Sequence, residues 1–105
     1  MTRDEIEAEK QRLRSEYGRL FDELSMLLFR SDPIGLNFES NTDEYDPEAR
    51  TILPQLRHCV SAKDATRVVH AEFVRWFGSD TAGEESRYQS IGEQVWKLWE
   101  GRTTA

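Results

Sequence analysis

Residues 61–78 read SAKDATRVVHAEFVRWFG, and this stretch decides the fold class. Ser61, with Asp64 three residues on, caps a helix start, and Gly78 stops it. Ala65, Val69, Phe73, Trp76 and Phe77 recur at helical spacing and are expected to face inward. Val68 and Val74 widen the apolar arc, so this helix should pack on more than one neighbour. Segments on both sides supply those neighbours.

Toward the C-terminus, Asp80 or Thr81 begins a turn into a helix over roughly 84–100. Tyr88, Ile91, Val95, Leu98 and Trp99 line its inner side, Trp96 lies at the margin, and Gly101 ends it. Toward the N-terminus, Asp46, Pro47 and Glu48 stand as N-cap, first helical residue and first-turn acid of a helix over 46–61. That helix uses Ile52, Leu53, Leu56 and Val60. Pro54 sits inside it, where a proline costs about 3 kcal/mol, so the regular helix begins after Leu53 or bends there.

The first helix is expected over 2–29, with Thr2 and Glu5 at capping-box spacing. Ile6, Leu13, Tyr17, Leu20, Leu24, Leu27 and Leu28 mark one face. Its first three turns are thin, with Ile6 and Leu13 as their only large apolar residues, while Met26 and Phe29 fall off the stripe. No run shows strand alternation. The chain is therefore predicted to be all-α: a four-helix bundle-like single domain over 1–101, with a short tail at 102–105. One long acidic loop, about residues 30–45, joins helices 1 and 2 and exceeds the usual connection between helices.

The charge is concentrated near that loop. Residues 31–48 (SDPIGLNFESNTDEYDPE) hold six of the 20 acidic residues and none of the 14 Lys and Arg, which accounts for the whole net charge of −6. The acidic balance argues against nucleic acid as a main partner, since phosphate binding draws on clustered Lys and Arg. Here Arg12, Arg14 and Arg19 are interleaved with Glu9, Glu16, Asp22 and Glu23. A single cysteine, Cys59, allows no internal disulfide and fits a reducing compartment. The charged N-terminus carries no signal-peptide core, and no apolar run approaches the ~20 residues that span a bilayer. A cytoplasmic protein is expected.

Asp32-Pro33-Ile34-Gly35-Leu36, closing a helix and followed by Glu44-Tyr45-Asp46-Pro47-Glu48, resembles the YugE-like family of small bacterial helical bundles with a D-P-x-G-L motif. The likeness covers roughly residues 22–78. It implies a four-helix bundle and no activity, because the family is itself uncharacterised. Small acidic immunity proteins are similar in general appearance only. Read physically, Asp32 caps the turn, Pro33 fixes φ, Gly35 permits a positive φ, and Ile34, Leu36 and Phe38 plug the bundle.

Chemistry finds little purchase. Asn37, Glu39, Asn41, Asp43, Tyr45 and Glu48 fall at calcium-loop spacing, but the first position is Asn, the sixth is Thr42 where glycine is required, and Pro47 intrudes. His58, Cys59 and His70 lack zinc-site spacing. Cys59 with His70 as base is a conceivable nucleophile pair, although nothing in the sequence brings them together. No cofactor, metal or enzymatic role is expected. The sequence points instead to a protein-interaction module. In it Asp43, Glu44, Asp46 and Glu48, with Tyr45 as aromatic anchor, engage a basic protein partner, and Trp96 adds a partly exposed contact. Its most concrete form is an immunity or antitoxin-like protein covering a toxin domain. The alternatives are a homodimeric structural bundle, joined through the thin half of helix 1 or the Trp96 face, and a small-molecule or metal-dependent activity around the loop and His70.

Overall fold

A computed structural model describes residues 2–33 and 45–101. Among these, every regular element is helical: α1 (Arg3–Tyr17), α2 (Leu20–Ser31), α3 (Asp46–Ile52), α4 (Ala62–Phe77), α5 (Ser79–Ala82) and α6 (Gln89–Glu100), with 3-10 turns at Leu53–His58 and Glu85–Tyr88. The expected all-α class holds, and its helix count does not.

The expected first helix is two. Gly18 adopts φ +64°, a conformation that L side chains rarely reach, and its N–H bonds the Arg14 carbonyl at 2.8 Å to close α1. The chain turns there and restarts at Leu20. The Pro54 expectation is met as a bend. α3 stops at Ile52 and the chain tightens into the 3-10 turn holding Pro54, which lacks the N–H that an α-helix would use. The start of α3 is displaced by one residue, with Tyr45 at the cap and Asp46 already helical. Past α4, the chain makes one short helix and a 3-10 turn before α6, where the sequence suggests a single helix over 84–100.

Capping follows the sequence more closely. Thr2 accepts from the Glu5 N–H at 3.2 Å, and Ser61 from the Asp64 N–H at 3.3 Å, while Asp64 takes the Val60 N–H at 3.0 Å. Gly78 ends α4 at φ +84°.

α4 packs along α6, α6 along α2, α2 on α3, and α3 back on α4, so the core is enclosed on four sides. Phe21, Leu24 and Leu28 of α2 meet Ile52, Leu53 and Leu56, Val69 and Phe73 of α4, and Tyr88, Ile91 and Val95 at its centre. α1 leans on α2 from outside and buries only Leu13, as its thin apolar face predicts. Polar contacts hold the rest of it. Gly92 lies where α4 and α6 come closest: a Cβ built there would stand 2.6 Å from the Thr66 Cα.

Two core groups titrate late. Burial pushes the Cys59 thiol up, helped by the nearby Asp64 carboxylate. Burial also raises Tyr88, against a smaller lowering by Arg87, and its hydroxyl donates to the Ala82 carbonyl at 2.6 Å. A folded-state pKa above the unfolded one stabilises fully below the unfolded value and is lost as pH rises through the folded one. Stability should therefore hold to about pH 8 and fall from there, first for the thiol and then above about pH 10 for the phenol. Urea titrations across that range should show Tyr88→Phe removing the later phase and leaving the earlier one.

No helix among the described residues is long and apolar enough to cross a membrane.

Candidate functional site: an arginine-rimmed groove outside α2

Three of the residues expected to meet a partner, Tyr45, Asp46 and Glu48, are buried. Tyr45 is fully buried, its ring 5.8 Å from that of Phe73, and its hydroxyl donates to Asp32 Oδ1 at 2.7 Å. Asp46 is 8% exposed; it accepts from the Ser25 hydroxyl, and Lys10 Nζ reaches its Oδ2 at 2.9 Å. Glu48 is 3% exposed. Burial removes these three from an exposed face, and for Asp46 the physical reason is that α1 and α2 supply Lys10 and Ser25 opposite it. Asp43 and Glu44 lie outside the described residues, as do Ile34, Gly35, Leu36 and Phe38 of the expected plug.

Asp32 is placed, and it takes the left-handed conformation itself, at φ +46°, with its N–H on the Leu28 carbonyl at 2.8 Å. The aspartate of the first motif and the tyrosine of the second are thus hydrogen-bonded to each other. Their shared role is to close α2 onto α3. Nearby, Arg50 reaches Glu9 at 3.0 Å, and Gln55 bridges the Thr51 carbonyl and the buried Glu72 carboxylate at 2.9 and 2.7 Å.

The tryptophans divide differently from expectation. Trp99 is core and Trp96 is partly buried against it. Trp76, expected inward, is 42% exposed and held by an Nε1–H donation to Thr51 Oγ1 at 3.2 Å. His58, Cys59 and His70 do not form a site. His58 is exposed, Cys59 is buried, and His70 Nε2 sits 2.9 Å from the Gly83 carbonyl oxygen with its ring on Tyr88. Among the described residues no three His, Cys, Asp or Glu side chains are grouped to hold a metal.

A concavity of about 780 Å³ lies outside the α1–α2 elbow. Its floor is Tyr17, Leu20, Leu98 and Trp99, with the Tyr17 and Trp99 rings 6.1 Å apart. Arg57, from the 3-10 turn, donates to the Tyr17 hydroxyl at 2.7 Å and reaches Glu16 at 3.3 Å. The elbow is clasped on its other side by Arg14, which pairs with Asp22 at 3.1 Å and lies over the Phe21 ring. A second depression of about 410 Å³ continues along α2 and shares Arg19, Glu23 and Leu98 with the first. Met26 and Arg30 close its far end.

No family model, curated protein or solved structure matches this chain. The groove must be read from its own chemistry.

Its two lobes are lined without serine, cysteine, histidine or lysine, and their acids are Glu16, Asp22 and Glu23. They do offer tyrosine, tryptophan, arginine and methionine on an apolar floor, the side chains that dominate interfaces. Sequence reasoning passed over this surface for one reason. Gly18 creates it by turning the chain, and an unbroken first helix would have no elbow. Met26 was the available signal, as an apolar residue standing off the buried stripe.

Proposed function

We propose that this chain is a non-enzymatic protein-interaction module whose working surface is the groove along α2 and α6. The observation that carries the reading is a continuous trough with Tyr17, Leu98, Trp99 and Met26 along its base and arginines at its edges. Pockets that fix a partner are mostly apolar with a few placed polar groups, and this trough has that composition. Its outermost apolar residue, Met26, is 38% exposed and is the side chain a partner would cover first.

This reading keeps the interaction role expected from the sequence and moves its surface. Affinity capture with wild-type bait beside Met26→Asp, and beside an Asp43→Asn/Glu44→Gln bait, tests it. The expected result is a protein retained by wild type and by the amide variant, and lost with Met26→Asp while circular dichroism and urea midpoint stay put. Loss with the amide variant alone would return the working surface to the acidic stretch and its basic partner. Equal capture by all three baits would remove both surfaces.

A further inference from the structure

The charge along the groove identifies what it would take. Arg19, Glu23, Met26 and Arg30 are spaced i, i+4, i+7 and i+11, which places them in one stripe along the outside of α2. Eleven residues at helical rise separate the two arginines by about 16 Å. Two acids close to this stripe are committed, Glu16 to Arg12 at 3.2 Å and to Arg57 at 3.3 Å, and Asp22 to Arg14 at 3.1 Å, while Glu23, inside it, has no cation within 4.0 Å among the described residues. Neither Arg19 nor Arg30 has a carboxylate within 4.0 Å among the described residues. Among the described residues an acidic protein thus carries two arginines without an ion-pair partner, one at each end of a shallow trough, with Glu23 between them.

We propose that the groove receives an acidic peptide segment of another protein, with carboxylates flanking a short run of apolar or aromatic side chains. This rests on the groove being the working surface and adds its partner's chemistry. The net charge of −6 does not oppose it. At physiological salt the Debye length is about 8 Å, so a docked carboxylate responds to the arginine beside it far more than to charges across the molecule. Apolar anchors supply the affinity, while the paired charges set register and speed encounter. A second copy of this chain is the competing occupant, because a twofold axis near Met26 would set Glu23 of one copy against Arg30 of the other.

The test is selection from a random-peptide display library on the folded protein at low salt, followed by binding of the recovered peptides to variants. Recovered peptides should carry Glu or Asp on both sides of apolar residues. Arg19→Glu/Arg30→Glu should weaken them by about tenfold or more. Peptides with those acids changed to lysine should bind the double variant better than they bind wild type. Peptides lost on Met26→Asp but indifferent to the arginine reversal would overturn the acidic partner and leave the groove standing. Peptides indifferent to both sets, or no recovered peptide, would overturn the groove as well. Concentration-dependent dimerisation in light scattering that Met26→Asp abolishes would assign the face to a second copy and overturn the proposal.

Discussion

Gly92→Ala should destabilise the protein by about 2–3 kcal/mol, although alanine is normally the better helix former by about 1 kcal/mol. The new methyl would meet the Thr66 Cα at 2.6 Å and its Cβ at 2.7 Å. Backbone cannot rotate aside, so α4 and α6 must separate along their longest shared contact. For a domain of this size the melting temperature should fall by about 10 °C or more. Thr66→Gly in the same chain removes the Cβ clash but not the Cα clash, so recovery should be partial. Urea denaturation reads both. A Gly92→Ala protein as stable as wild type would mean that the two helices do not touch at Gly92.

Tyr45→Ala separates a core tyrosine from a surface anchor by the size of its effect. With its ring beside Phe73 and fully buried, truncation should cost about 3–5 kcal/mol, a large part of a small domain's total stability. Tyr45→Phe keeps the ring and removes the donor to Asp32, and should cost about 1 kcal/mol. An exposed anchor would show neither loss in an unfolding curve. The same logic covers Asp46, whose carboxylate holds Lys10 and Ser25. Amide replacement there tests the joint between α1, α2 and α3 and says little about recognition.

How far the sequence could be read depends on how local each feature is. The span of α4, both of its ends and the two N-terminal caps were legible because a cap joins residues three apart and an apolar stripe repeats within one turn. The bend at Pro54 was legible because proline carries its own constraint. The elbow at Gly18 was not, since a glycine within an apolar periodicity is compatible with a continuing helix until the backbone takes a positive φ. Trp76 was misplaced for a related reason. Periodicity puts it within the wide apolar arc, between Ala65 and Val69 in projection, and the neighbours available to α4 decide how much of that arc is covered.

The acids of residues 43–48 show the limit most clearly. Their type and number favour a helix start in contact with solvent, and a helix start is what Asp46 and Glu48 form. Whether a carboxylate faces water or a lysine depends on which distant element lies opposite, and no spacing within 46–48 encodes that. Ser25, a polar residue among buried leucines on α2, was the available hint that something polar would arrive there. The sequence by itself determined the helical class, the start of α1, both ends of α4, the end of α6 and the core stripes, because those follow from short-range backbone and side-chain preferences. The tertiary structure alone decided that Tyr45, Asp46 and Glu48 are interior and that the outer face of α2 is open. Both depend on α1 turning back at Gly18, which brings Lys10 to Asp46 and leaves Arg19, Met26 and Arg30 facing solvent beside α6.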